Sequence, residues 1–252
     1  MRRRPRDDGN MPLLQHFLAL RKVLVVSAYF VAIGTVIGWF FSDLVYAYLA
    51  KPVLALDDVH FITTTPLEPI LVKLKVSLFF GLTVALPGIT WQIWGFILPA
   101  LKQHEKKYLY MIVPASVILF LAGVAMCFFV VLPIGIQFLI YAGNASIDST
   151  PFVTKTSYLS FLLTFLVSFG LVFQMPIVML VLIRMGLLLP RTLAKNRRYA
   201  IFFIVVLAVL ISPTPDLVTQ ALMAGPMYLL YEISIWLGYL MERKREKALA
   251  AG

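Results

Sequence analysis

VLVVSAYFVAIGTVIGWFF, Val23 to Phe41, carries no charged residue from end to end. A run of about 20 predominantly apolar residues is what a helix needs to cross a hydrocarbon core about 30 Å thick. Further apolar runs follow at Val76–Leu98, Tyr108–Leu132, Tyr158–Ile183 and Leu217–Leu240, with a shorter one at Tyr199–Ile211. The composition agrees. Of 252 residues, 61% are apolar and 13% charged, too few charges to cover a globular surface. The expected fold class is therefore an all-α membrane protein, a bundle of six transmembrane helices. The first run is too long for the apolar region of a signal peptide and is followed by no A-x-A site, so it is read as a retained span.

Charge placement sets the orientation. The N-terminus, the loops 99–107 and 184–198, and the tail hold 18 of the 22 Lys and Arg, and the opposite loops hold four. Cytoplasmic segments concentrate Lys and Arg, so both termini are expected in the cytoplasm. The net charge of +10 is explained by this topology, and nucleic-acid binding is not expected. The organisation is one membrane domain over residues 1–252. It comprises a basic, amphipathic N-terminus (1–22), the bundle (23–240) and a basic tail (241–252). Pro12 suits the first turn of a helix, and Leu13, Leu14, Phe17 and Leu18 share a stripe, which reads as an interfacial helix leading into the first span. Two long loops, Ser42–Lys75 and Pro133–Ser157, lie on the opposite side. The fifth run is anomalous: thirteen residues make about 20 Å of helix, short of the core thickness. Either the bilayer thins there, or the flanking polar residues dip in, or the helix simply extends past Arg198 and is protected by its neighbours.

Few residues could carry chemistry. Cys127 is alone in an apolar run, and His16, His60 and His104 fall in separate segments without metal-ligand spacing, so no metal or cofactor is expected. Ser116, Ser160 and Ser168 lie in spans with no histidine to activate them, which argues against an intramembrane hydrolase. Ionisable or strongly polar groups inside spans are costly and therefore candidates for function. They are Glu232 in the sixth run and Gln174, two residues before Pro176, in the fourth. A protonated Glu232 hydrogen-bonded between helices and a Gln174 that ties helices together are the structural alternatives. Glu105 is the only acidic residue in the two inner basic loops, and could take an arginine fork in two parallel hydrogen bonds. These residues alone favour a secondary transporter of a small solute. Against it stand the scarcity of intramembrane carboxylates and the lack of an internal repeat.

Several segments together resemble the TatC family, the six-helix core subunit of the twin-arginine protein translocase. They are Leu14-Gln15-His16-Phe17-Leu18-Ala19-Leu20-Arg21-Lys22, Pro52, Trp94-Gly95-Phe96-Ile97-Leu98-Pro99-Ala100-Leu101, His104-Glu105-Lys106-Lys107, Phe129-Val130-Val131-Leu132-Pro133, Phe169-Gly170-Leu171-Val172-Phe173-Gln174-Met175-Pro176, Ser212-Pro213-Thr214-Pro215-Asp216 with Gln220, and Tyr231-Glu232-Ile233-Ser234. Their order and spacing from about Leu13 to Arg245 carry the likeness.

The resemblance implies a receptor and not an enzyme, in the cytoplasmic membrane of a bacterium or archaeon. It implies recognition of twin-arginine precursor proteins, single-span TatA/TatB-type subunits as partners, homo-oligomers within the complex, contact with membrane lipid, and export driven by the proton-motive force. Carried over, Arg21, Phe96 and Glu105 belong to the signal-binding surface, with Glu105 accepting arginine. Gln174 faces a cavity as a contact for a partner or for the signal, with Glu232 as a second intramembrane polar contact. Pro52, Asp216 and Gln220 are structural or translocation residues on the outer side. One departure is Ala19, where the family usually has a glutamate. Losing one hydrogen-bonded charge partner costs about 1.5–3 kcal/mol, or one to two decades in affinity.

Overall fold

The computed structural model describes residues 13–54, 60–97, 109–144, 152–212 and 214–250. The chain runs α1 (Leu13–Leu49), α2 (Lys51–Leu54), β1 (His60–Ile62), α3 (Glu68–Ile97) and α4 (Leu109–Met126). A π-helical turn (Cys127–Val131) then leads into α5 (Leu132–Asn144). After it come β2 (Phe152–Thr154), α6 (Lys155–Val172), α7 (Met175–Arg184), α8 (Pro190–Lys195), α9 (Arg197–Ile211) and α10 (Leu217–Ala250). By length and composition, four helical units can cross a membrane: Phe17–Leu54, Glu68–Ile97, Tyr110–Ile140 and Lys155–Arg184. The fold is that of an all-helical membrane protein with one small addition. β1 and β2 pair in parallel, His60 opposite Phe152 and Ile62 opposite Thr154, which the apolar pattern of the sequence did not announce.

Three boundaries differ from the sequence reading. The N-terminal stripe forms no separate interfacial helix. It is the start of α1, a single helix of 37 residues and so about 55 Å long. The third span does not end at Leu132. Proline lacks an N–H and its ring crowds the carbonyl four residues back, so before Pro133 the helix widens, and the Leu132 N–H bonds to the Cys127 carbonyl, five residues away. The helix then resumes to Asn144, inside what the sequence suggested was loop. The fifth run gains only Arg197 and Arg198 at its start, giving 15 residues. It therefore stays short.

The core is organised around α6, whose Leu159, Leu162, Phe165 and Leu166 are fully buried, together with Phe120, Val76, Met223 and Met227 from α4, α3 and α10. No hydrophobic force separates helix from lipid in a bilayer, so small residues that let backbones approach decide helix pairing. α1 and α3 pair in this way. A Cβ on Gly34 would come 2.7 Å from the Gly81 carbonyl oxygen, and one on Gly38 2.7 Å from that of Ser77. Gly186, at φ 75°, ends α7 where its N–H and that of Leu187 cap carbonyls at Ile183 and Leu182.

At the α1 C-terminal end, the two long connections are fastened to the bundle. Glu68 accepts hydrogen bonds from the Thr64 N–H (2.8 Å) and, at the first turn of α6, from the Thr156 N–H (2.9 Å). The buried Tyr158 hydroxyl donates to the Leu49 carbonyl at 2.7 Å.

Candidate functional site

The α1–α3 register decides where Arg21 and Phe96, read from the resemblance as signal-binding, fall. Gly38 meets Ser77, Gly34 meets Gly81, and the Phe30 ring lies against Gly88. The pair is antiparallel. Continued by its own spacing, the register sets Arg21 of α1 level with Phe96 of α3, at the end away from the strand pair. Arg21 is exposed, and Ala19 and Phe96 are half-buried. Glu105 and the rest of loop 99–107 lie outside the described residues.

Beneath this end, three helices share a polar node. Pro176 removes the N–H that would continue α6 into α7, so the helix breaks at Phe173–Gln174 and the Gln174 side chain is freed from a regular ladder. Its Nε2 donates to the Ser116 carbonyl at 3.0 Å and to the Gly170 carbonyl at 3.5 Å. Both acceptors are carbonyls, so only the NH2 side of the amide can face them. Its Oε1 takes no hydrogen bond among the described residues. The same Ser116 accepts the Trp94 indole N–H through its hydroxyl at 3.3 Å.

Glu232 is tied between two helices, α9 and α10. Arg197, read as part of a basic loop, is the first residue of α9. Its Nη2 donates to Glu232 Oε2 at 2.9 Å and its Nε lies 2.7 Å from Oε1, while the Tyr228 hydroxyl donates to Oε1 at 2.9 Å. Both oxygens of the carboxylate are thus held in a bidentate fork by one edge of the guanidinium.

On the opposite side, Pro52 is half-buried in α2. Asp216 precedes α10 and accepts the Thr219 N–H at 2.6 Å, the geometry of an N-cap. The Gln220 N–H bonds back to the Asp216 carbonyl at 3.2 Å. Burial pushes the Asp216 carboxyl up, but hydrogen bonds from Thr214 and Thr219 outweigh it, and its pKa ends below the usual carboxylate range. Among the described residues no cluster of His, Cys, Asp and Glu could hold a metal. Sequence reasoning passed over Glu68 and Arg197. Thr156, the distant partner of Glu68, and Glu232, the partner of Arg197, lie 88 and 35 residues away, and only the Pro69 that follows Glu68 at a helix start hinted at a cap.

The family model described as "Sec-independent protein translocase protein (TatC)" matches residues 15–226. The chain belongs to the TatC family. It is 40% identical over 238 residues to TatC of Aquifex aeolicus, covering 94% of this chain and 98% of that protein. With TatC of Carboxydothermus hydrogenoformans it shares 38% over 239 residues, 94% and 97% of the two chains. TatCy of Bacillus subtilis is 32% identical over 246 residues, 96% and 94%. A solved structure, "Crystal Structure of Twin Arginine Translocase Receptor- TatC", superposes with a TM-score of 0.79 at 40% identity, covering 89% of this chain and 98% of the other. As a member of the family the chain is a receptor subunit of the twin-arginine translocase and not an enzyme. It is a multi-pass protein of the bacterial cytoplasmic membrane. The small-solute transporter reading is thereby replaced.

Proposed function

We propose that this chain binds the paired arginines of an export signal at the Arg21–Phe96 end of the α1–α3 pair, with Glu105 as the arginine acceptor. The carrying observation is the antiparallel register, which brings two segments distant in sequence, the start of α1 and the end of α3, to one end of the bundle. The excess of Lys and Arg at that end argues for the cytoplasmic side. On this reading the whole chain is one domain of six spans: α1, α3, α4–α5, α6–α7, α9 and α10. Both termini are cytoplasmic. Gln174 offers an intramembrane contact to a single-span TatA/TatB-type subunit or to the signal, and Glu232 is a second intramembrane polar contact, tying α9 to α10. Pro52, Asp216 and Gln220 shape the outer side. Several copies assemble with precursor and single-span partners, and the proton-motive force drives export.

The test is binding of a labelled twin-arginine signal peptide to the chain in membranes, beside a Lys-Lys peptide. Preference for the twin-arginine peptide, weakened by Glu105→Gln and strengthened by Ala19→Glu, is expected. Equal binding of both peptides by the parent and by Ala19→Glu would sink the proposal.

A further inference from the structure

An apolar groove of about 570 Å³ opens between the C-terminal part of α1 and the α4–π-turn segment. Tyr48, Leu121, Phe128 and Phe129 line it, over a floor of Phe79 and Leu166. Phe129 and Leu121 are 64% and 45% exposed, so the groove opens onto the face that lipid covers. The widened π turn carries both adjacent phenylalanines into it, their rings in edge contact at 5.2 Å. Phe128 stacks on Tyr48 at 5.3 Å and 16°, and Lys51 Nζ lies 4.7 Å from the centre of the Tyr48 ring. A ladder of aromatic rings thus leads from the groove up to a cation.

Lys73 of α3, by contrast, is neutralised by Asp43 at 3.1 Å. Lys51 forms no ion pair among the described residues, so its charge faces outward unspent. Seven residues separate Leu44, another lining residue, from Lys51. They make about 10 Å of helix, so with Lys51 at the headgroup level the groove lies in the third of the hydrocarbon core directly below it.

Two occupants could fill such a groove, a lipid chain or a partner's helix. Helices dock in membranes on small residues, and this lining is bulky, with Ala125 its only small side chain. We propose that the groove is a phospholipid site, with one acyl chain along the ring ladder and the phosphate against Lys51. On the orientation proposed above, it serves the outer leaflet. The site does not depend on signal recognition.

The test uses the full-length chain in detergent, with Phe129→Trp as a reporter and phosphatidylglycerol or diacylglycerol carrying brominated acyl chains as quenchers. Signal is taken as the difference from the chain lacking the reporter. Saturable quenching is expected, with half-saturation about fivefold lower for phosphatidylglycerol, the worth of one lysine near a lipid phosphate. Lys51→Gln, an exposed change that spares the fold, should erase the headgroup difference. Ala125→Phe should fill the groove and abolish the saturable part. Quenching that rises linearly, or is equal for both lipids, would overturn the proposal. So would stoichiometric displacement of the lipid by a single-span partner helix. Twin-arginine peptide binding, read on the same samples, separates this outcome from failure of the receptor reading.

Discussion

Replacing Gly81 by alanine should loosen the α1–α3 pair, and a matched change one end of the helix away should not. A Cβ at Gly81 would press on the Thr35 backbone nitrogen and stand 2.6 Å from Thr35 Oγ1. Comfortable contact between heavy atoms needs about 3.5–4.0 Å, so the helices would have to part by about 1 Å. Thr35 cannot swing aside without loss, because its hydroxyl donates to the Val31 carbonyl at 2.8 Å. Overpacking of this kind costs about 1–3 kcal/mol. The control is Gly95→Ala on the same helix, where a Cβ meets nothing within 4 Å. There the better helix propensity of alanine should stabilise by about 0.5–1 kcal/mol. Thermal unfolding of the two variants in one detergent would read the difference, with Gly81→Ala melting lower and Gly95→Ala at or above the parent. Twin-arginine peptide binding should weaken in Gly81→Ala as well, since Arg21 and Phe96 sit on the two helices being forced apart. If Gly81→Ala melts no lower than Gly95→Ala, small-residue contact does not hold this pair, and the register that unites the recognition residues loses its support.

Four other outcomes follow from the geometry. Tyr158→Phe removes the buried hydrogen bond to the Leu49 carbonyl and should destabilise by about 1–2 kcal/mol, read as a lower melting temperature without loss of helix signal in circular dichroism. Breaking the Arg197–Glu232 pair from either side should cost little, with a double-mutant cycle through Arg197→Gln and Glu232→Gln giving a coupling of about 0.2–1 kcal/mol. Gln174→Leu should shift stability by roughly 0.6 kcal/mol while reducing export of a reporter precursor, because the acceptor it offers is lost. Asp216 has a lowered pKa, so its charge stabilises the folded state at neutral pH and that contribution fades as pH falls below the ordinary carboxylate value of about 3.9. The melting difference between the parent and Asp216→Asn should therefore be largest near pH 7 and shrink toward pH 3.

What was legible in the sequence follows the range of each interaction. Spans announce themselves through composition, so Val23–Phe41 and its counterparts could be read locally. The outcomes at Pro133 and Pro176 were not legible: the sequence reading ended a span before Pro133 and ran one unbroken through Pro176, whereas the missing N–H widens a turn in one place and breaks the helix in the other. Pairings across the chain were not legible. Nothing near Glu68 points to Thr156, nor anything near Glu232 to Arg197, because the geometry that joins them is made by helix packing. Arg197 was misread as loop for the same reason that α9 is short: it stands at the helix start, where charge and helix overlap. The TatC likeness supplied what local physics could not, the order of motifs along the whole chain. The loop that carries Glu105 lies outside the described residues, so that part of the candidate site rests on the sequence alone.

The polar side chains inside the bundle explain why so little chemistry was visible there. Thr35, Ser77, Thr83, Thr164 and Ser234 each donate to the carbonyl four residues back in their own helix. Such groups are satisfied at home and leave nothing for a substrate. Ser116 and Ser160, considered as nucleophiles, are engaged as acceptors for Trp94 and Lys75. Among the described residues, cross-helix polar links include those of Lys73 to Asp43, Lys75 to Ser160 and Tyr231 to Leu193, the connections fastened by Glu68, the start of α9, and the node at the break after α6. A receptor that must hold its shape in lipid has reason to be built this way. Unsatisfied polar groups cost several kcal/mol in hydrocarbon, so an open acceptor such as Gln174 Oε1 is tolerated only where a partner or an adjoining aqueous surface can meet it. Of the two intramembrane candidates named from the sequence, Gln174 keeps an acceptor without a partner among the described residues, whereas both oxygens of Glu232 are taken.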